Sequence, residues 1–128
     1  MISHTTFGTN DLQRAEDFFD KLLPEMGGSK HVKTDRAIFY TFGDGSSKLA
    51  ISLPFDGQAA GTGNGTMLAF TVANIEKVIS VHSKALSLGA ANEGDPGPRY
   101  DGLYYGAYFR DLDGNKFAVF HLLKTPVA

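Results

Sequence analysis

Several residue types and patterns are missing from this sequence, and each absence narrows the possible functions. The chain contains no cysteine, so it has neither a disulfide framework nor thiolate chemistry. No run of apolar residues approaches the length of a membrane span, and the N-terminus lacks the basic-then-apolar pattern of a signal peptide. Lysine and arginine are not clustered and the net charge is −2. We therefore expect a cytoplasmic protein with neither nucleic acid nor membrane as a partner.

What the sequence does contain is enough apolar material for a core. Its 128 residues are 42% hydrophobic and include ten phenylalanines. This length suits one domain, or two small modules sharing a core. The 15 glycines concentrate in residues 57–65 and 94–102, where they indicate turns and close backbone approaches.

The clearest local signal is a β-hairpin near the C-terminus. Asp113-Gly114 supplies the backbone freedom of a tight turn. The flanking runs, residues 104–110 and 116–122, are rich in aromatic and branched side chains, as strands are. Asp111 and Asp113 resemble a carboxylate pair, but capping of the turn explains both.

An earlier segment repeats this hairpin, which suggests that the chain is built twice. Residues 39–53 also join an aromatic run, an Asp-Gly turn, a lysine and an apolar strand. In this alignment Lys48 to Ile51 overlies Lys116 to Val119, and His4 to Phe7 overlies Met67 to Phe70.

The remaining patterns complete two βαβββ modules, residues 1–54 and 65–128, joined by a linker at 55–64. Asn10 with Gln13 predicts a capping box, and Asn74 predicts a second helix cap. The predicted elements are a strand at 2–7, a helix at 11–23, an edge strand at 29–34, hairpin strands at 36–42 and 48–53, a strand at 66–72, a helix at 75–88, a short strand at 90–95, a loop at 96–102 and a frayed tail at 124–128.

Four segments in this order resemble the vicinal oxygen chelate superfamily, also called the glyoxalase/bleomycin resistance/dioxygenase fold. They are I-S-H-T-T-F-G-T-N-D-L-Q-R-A-E-D-F-F, G-N-G-T-M-L-A-F, G-D-P-G-P-R-Y followed by Y-Y-G-A-Y-F-R-D, and D-L-D-G-N-K-F. The resemblance implies an α+β fold. In it, eight strands of two βαβββ modules form a cup-shaped mixed sheet with helices on the outer face. It also implies a homodimer, and in many members a divalent metal that binds vicinal oxygens of a substrate.

The resemblance places the metal ligands at four positions, which here are His4, Ala50, Met67 and Ala118. Only His4 offers a nitrogen or oxygen donor, and a divalent cation needs about three. We therefore expect no complete metal site and no cofactor, with a divalent metal as the alternative. By strand alternation, Lys116 and Phe120 share a face with Ala118, and His121 lies on the helix side.

A second group of candidates follows from the tyrosine-rich segment. Tyrosine rings and hydroxyls suit flat or polar organic ligands, and Arg99 can bind a carboxylate or phosphate. The alternative is that these are half-buried strand residues, which we favour for Tyr108. His82 is expected to pack in the core and His31 to lie on the surface. The predicted ligand pocket comprises His4, Met67, Ala118, Phe120, Arg99, Tyr100, Tyr104 and Tyr105.

Two functions remain open on these grounds. The first is a glyoxalase/bleomycin-resistance-like protein that binds a small organic molecule without a complete metal site. The second is a divalent-metal-dependent lyase of the glyoxalase I, or lactoylglutathione lyase, type with a non-standard site. Whether the protein is an enzyme is left open, as is a third possibility, a subunit that only associates with partners.

Overall fold

A computed structural model describes residues 1–124 of the chain. The tail predicted at 124–128 lies outside the described residues, apart from Lys124. Contacts divide the chain into two units, residues 1–64 and residues from 65 onward. No helix within the described part of the chain is long and apolar enough to cross a membrane.

The first unit is a βαβββ module. Strands β1, β2, β3 and β4 form one sheet in the order β1-β4-β3-β2, in which β1 and β4 are parallel and the other pairs antiparallel. Its elements are β1 (Thr5–Gly8), α1 (Leu12–Leu22), a 3₁₀ turn (Leu23–Met26), β2 (Gly28–Lys33), β3 (Ala37–Phe42) and β4 (Ser47–Ser52).

The second unit repeats this topology with a second mixed sheet, in the order β5-β8-β7-β6. Its elements are β5 (Leu68–Thr71), α2 (Ile75–Ser87), β6 (Ala91–Arg99), β7 (Tyr104–Arg110) and β8 (Lys116–Leu122). Thr6 pairs with Ala50 in the first sheet, and Ala69 pairs with Ala118 in the second. The sequence repeat aligns Thr6 with Ala69 and Ala50 with Ala118, so the two pairs occupy equivalent positions, as predicted. The α+β class and the two βαβββ modules are confirmed.

Helix α1 forms because its apolar side chains recur at helical spacing. Ala15, Phe18, Phe19 and Leu22 are buried, and the ring of Phe19 lies 6.2 Å from that of Tyr40 on the sheet. The predicted cap was wrong by one residue. Asp11 caps the helix by accepting a hydrogen bond from the Arg14 N–H at 3.0 Å.

Asn10 has a different role from the predicted cap. Its side-chain amide accepts from the N–H of Ala60 at 2.7 Å and donates to the carbonyl of the same residue at 3.3 Å. Residues 55–64 are all described and form no helix or strand. The part of this segment that ends at Ala60 is therefore hydrogen-bonded to the first unit.

A buried carboxylate ties α1 to the edge strand of the first sheet. Glu16 is 6% exposed and accepts from the ammonium groups of Lys30 and Lys33. A register shift between Lys30 and Val32 lets both lysines reach the same side of the sheet, although they are three residues apart. The hydrogen bonds from Lys30 and then Lys33 hold the pKa of Glu16 below its ordinary value.

The core of the second unit lies between α2 and the helix side of β7 and β8. The ring of Phe117 stacks on that of Phe109 at 5.6 Å and on that of Phe70 at 5.8 Å. His82 is 4% exposed, and its Nε2 lies 3.0 Å from Oδ1 of Asn92. The packing role predicted for His82 is confirmed, as is the cap at Asn74, which accepts from the Lys77 N–H.

The loop predicted at 96–102 was wrong over its first half. Strand β6 continues to Arg99, which pairs with Tyr104, and the chain turns only at Tyr100 and Asp101, where φ is +50° and +55°. The pairing of β6 with β7 shifts register on both sides of Gly94. Glycines and prolines in this edge strand obscured the strand pattern, since an irregular edge strand tolerates both.

The C-terminal hairpin has the strand bounds that the sequence predicts. Gly114 lies in the turn with φ of +87°. Asp111 is buried and accepts hydrogen bonds from the N–H groups of Asp113 and Asn115 and from the Asn115 amide. The turn-capping role predicted for Asp111 is confirmed. Burial raises the pKa of its carboxyl, against the effect of these donors.

Candidate functional site

The second sheet has a face that α2 does not cover, here called the open face. Along β8 the side chains alternate, so Phe117 and Val119 are buried on the helix side while Lys116, Ala118 and Phe120 lie on the open face. The strand pairing extends these positions across the sheet: Tyr108 is opposite Ala118, and Gly106 is opposite Phe120.

Two of the predicted tyrosines belong to this face and one does not. Tyr104 lies two residues before Gly106 and contacts Phe120 edge-to-face at 5.4 Å, and Tyr100 lies 5.6 Å from Tyr104. Tyr105 pairs with His121 and therefore lies on the helix side of the sheet. Strand alternation separates adjacent residues, so Tyr104 and Tyr105 cannot line the same surface of this sheet.

The hydroxyls of Tyr104 and Tyr108 are hydrogen-bonded to each other. Either can donate in this pair, which leaves the other proton available to a third group. Burial, together with the hydrogen bond between the two hydroxyls, raises the pKa of Tyr104 to about 12. Tyr104 therefore remains protonated at neutral pH. The two phenols present a fixed polar edge beside the ring of Phe120.

Two cationic side chains lie near the ring of Tyr108. The guanidinium carbon of Arg99 and the Nζ of Lys116 each lie 5.5 Å from the centre of its ring. Arg99 is held by hydrogen bonds to the carbonyls of Asp95 at 2.7 Å and Pro98 at 3.3 Å. The open face thus combines aromatic rings, hydroxyl groups and positive charge.

Three glycines make room for these large side chains. A Cβ at Gly94 would lie 2.9 Å from the Tyr108 ring, one at Gly97 would lie 3.1 Å from Nη1 of Arg99, and one at Gly106 would lie 2.8 Å from the Tyr104 ring. None of the three has a positive φ. Glycine is therefore required here for space, which lets the tyrosines and Arg99 lie across the sheet.

The first unit contains two of the four positions that the resemblance assigns to metal ligands, His4 and Ala50. Phe39 and Thr6 both pair with Ala50, so these three share a face. His4 precedes β1, is exposed, and lies with its ring 5.4 Å from that of Phe39. Its Nδ1 is 3.0 Å from the Ser3 hydroxyl.

Donor atoms for a metal are sparse at the positions that the resemblance assigns. Ala50 and Ala118 are buried methyl groups, and Met67 is 45% exposed just before β5. Within residues 1–124, no three His, Cys, Asp or Glu side chains come together in an arrangement that could hold a metal ion.

A groove of about 510 Å³ lies in the first unit, and none of the predicted site residues lines it. It runs between the end of β1 and the segment after β4. Arg36 and Phe55 form one wall, with the guanidinium 5.1 Å from the ring centre. Its lining residues are Thr9, Asn10, Arg36, Leu53, Pro54, Phe55, Gly57, Gln58 and Ala59.

A sequence profile of the Glyoxalase/Bleomycin resistance protein/Dioxygenase superfamily matches residues 1–119. The chain belongs to this superfamily. Among solved structures, a glyoxalase/bleomycin resistance protein from Albidiferax ferrireducens T118 is 32% identical. That match has a TM-score of 0.84 and covers 94% of this chain and 98% of the other.

Other superfamily structures show the same fold at lower identity. A putative glyoxalase from Bacillus halodurans is 23% identical, with a TM-score of 0.78 and coverage of 94% and 95%. The fosfomycin resistance protein FosX from Listeria monocytogenes is 19% identical, with a TM-score of 0.71 and coverage of 94% and 92%. A comparison with curated proteins gave no match.

Sequence reasoning missed part of this superfamily member's open face. Tyr108 is the half-buried strand residue that the sequence favours, but its ring also lies 5.5 Å from both cations and its hydroxyl is hydrogen-bonded to that of Tyr104. Part of the signal was present in the sequence, because the even spacing of Tyr104, Gly106 and Tyr108 places all three on one face of the strand. A glycine inside a strand also indicates a close approach, and here the ring of Tyr104 lies over Gly106, whereas the ring of Tyr108 lies over Gly94 of the neighbouring strand.

Proposed function

We propose that this protein binds a small organic molecule against the open face of its second sheet, without a complete metal centre. The observation that carries the proposal is the fixed pair of tyrosine hydroxyls beside the ring of Phe120. Apolar rings with a few convergent polar groups are the usual composition of small-molecule sites. The glycines support this interpretation, since the rings of Tyr104 and Tyr108 occupy space that a side chain at Gly106 or Gly94 would fill.

The chemistry of the donor set supports a site without metal. The superfamily's ligand positions correspond here to His4, Ala50, Met67 and Ala118. A methyl group cannot coordinate, and a neutral thioether is a poor ligand for zinc, manganese or iron(II). One imidazole does not supply the roughly three protein donors that such an ion requires. The residues present therefore do not fit the metal centre.

The names of the relatives leave both binding and catalysis open. One is described as a glyoxalase/bleomycin resistance protein and another as a fosfomycin resistance protein. The second candidate function is accordingly a divalent-metal-dependent lyase of the glyoxalase I type. The exposed imidazole of His4 is the observation that favours it, because it is the available donor among the four positions.

The test compares ligand binding by protein treated with a chelator and by protein supplied with zinc, manganese or nickel. The chain has no tryptophan, and three of its five tyrosines lie on the open face, so a change in tyrosine emission is a suitable signal in a screen of small organic compounds. We expect the same hits and affinities in both samples. Tyr104→Phe should weaken binding, whereas Tyr105→Phe, on the helix side, should not.

The opposite result is equally clear. The lyase would be supported by stoichiometric metal that copurifies with the protein and is lost in His4→Ala. A chelator should then remove binding or turnover together with the metal. Binding that is insensitive to both Tyr104→Phe and Phe120→Ala would place the ligand elsewhere and contradict the proposed site.

A further inference from the structure

The charges of the open face are unequal. Arg99, Arg110 and Lys116 bring three positive charges to β6, β7 and β8. Arg110 forms an ion pair with Glu93, which lowers the pKa of that carboxyl. Neither Arg99 nor Lys116 forms an ion pair with a carboxylate in the part of the chain that the structure describes. The charge of Lys116 also helps, after Arg110, to lower the pKa of Glu93, so this one carboxylate partly offsets Lys116 as well, and Arg99 remains without such a partner among the described residues.

These two cations are also held in place. Arg99 is fixed by two main-chain carbonyls and lies against the ring of Tyr108. Lys116 lies at the same distance from that ring and is half-buried. Carbonyls and rings stabilise a cation without cancelling its charge, so Arg99 retains its attraction for an anion and Lys116 retains the part that Glu93 does not offset. A pre-positioned guanidinium also loses less conformational entropy on binding than a free one.

The hydroxyl pair of Tyr104 and Tyr108 adds a hydrogen-bond donor that suits an anionic oxygen. One phenolic proton is used between Tyr104 and Tyr108, and the other is free to point outward. Hydrogen bonds to a charged acceptor are roughly twice as strong as those to a neutral one. A ligand with an anionic oxygen gains most from this arrangement.

We propose that the ligand of the open face is an organic anion, with a carboxylate, phosphonate or phosphate group placed between Arg99 and Lys116. Its apolar or flat part packs against Tyr100, Tyr104 and Phe120. This inference rests on the proposed small-molecule function and specifies the chemical class of its ligand. Asp95, whose main-chain carbonyl accepts from Arg99, has its carboxylate engaged by the amide of Asn92 at 2.7 Å.

The experiment uses probes of one shape and different charge. Benzoate, phenylphosphonate, neutral benzamide and cationic benzamidine are titrated against the intact protein, with amide chemical shifts as the readout. We expect both anions to bind at least tenfold more tightly than benzamide, and benzamidine to bind least. Affinity for the anions should fall as ionic strength rises. A preference for phenylphosphonate over benzoate would identify a phosphorus oxyanion as the natural group.

Matched variants locate the effect. Arg99→Ala and Lys116→Met should each reduce anion affinity about tenfold or more and leave benzamide binding unchanged, since each removes one charge–charge contact. Lys84→Met removes the same charge from α2 and should leave all four affinities unchanged. Far-UV circular dichroism confirms that each variant is folded.

The outcomes separate the two proposals. If benzamide binds as tightly as benzoate, or if Arg99→Ala and Lys116→Met leave the anion affinities unchanged, the anionic class is wrong while small-molecule binding stands. If none of the probes shifts a resonance of the open face at concentrations of about 10 mM, the proposed function is itself overturned.

Discussion

Replacing Gly106 by alanine tests whether missing side chains shape the open face. The new Cβ would lie 2.8 Å from Cε2 and 3.0 Å from Cδ2 of Tyr104. Non-bonded carbons sit about 3.5 to 4.0 Å apart, so the ring must move by about 1 Å. That shift separates the hydroxyl of Tyr104 from that of Tyr108 and disturbs its contact with Phe120.

Two opposing effects set the change in stability. Overpacking costs about 1 to 3 kcal/mol, and replacing glycine where φ is ordinary returns about 0.4 to 1 kcal/mol through the unfolded chain. Because Tyr104 is half-buried and can swing outward, we expect a net loss of about 0.5 to 2 kcal/mol in the free energy of unfolding. The loss of binding free energy for a ligand of the open face should be much larger than the loss in the free energy of unfolding.

Urea denaturation followed by circular dichroism measures the stability, and a double-mutant cycle assigns its cause. In a Tyr104→Ala background the added methyl group meets no ring, so the penalty of Gly106→Ala should disappear. Gly61→Ala is the control, because its Cβ would meet nothing within 4 Å and its φ is not positive.

Two results would contradict this prediction. One is wild-type ligand affinity in Gly106→Ala, and the other is an unchanged cost of this substitution when Tyr104 is alanine. Either result would show that the ring position does not depend on the space above residue 106.

Two other contacts give simpler predictions. Glu16→Gln should destabilise the protein at neutral pH, because its lysine partners hold the pKa of Glu16 below the ordinary 4.5. That stabilisation is present above pH 4.5 and is lost as pH falls through the lowered pKa. The difference in the free energy of unfolding between wild type and Glu16→Gln should therefore shrink in acid. A difference that persists to pH 2 would contradict this prediction. Asn10→Ala should accelerate hydrogen exchange at the Ala60 amide, which loses its 2.7 Å acceptor; unchanged protection, measured by NMR, would show that this contact is not formed in solution.

Most of the fold could be predicted because its determinants are local. The Asp-Gly turns, the aromatic strands and the spacing of apolar residues in α1 and α2 place nearly every element. Errors arose where two local signals compete. Asn10 and Asp11 are both good helix caps, and a contact fifty residues away, to Ala60, decides between them.

The candidate site was less predictable, because its geometry depends on strand register and on neighbouring strands. Alternation assigned Lys116 and Phe120 to the face of Ala118, and the structure agrees. Alternation alone could not show that Tyr108 and Tyr104 bond to each other. The irregular pairing around Gly94 also hid the extension of β6 that positions Arg99.

The attachment of Asn10 to Ala60 also bears on how this chain can be engineered. Up to Ala60 the segment after β4 is hydrogen-bonded to the first unit, whereas added methyl groups at Gly61 and Gly65 would meet no atom within 4 Å. A reporter domain or an affinity tag is therefore best inserted between these two glycines. Insertion a few residues earlier would displace backbone that Asn10 holds by hydrogen bonds. The segment between Gly61 and Gly65 is therefore the better insertion site.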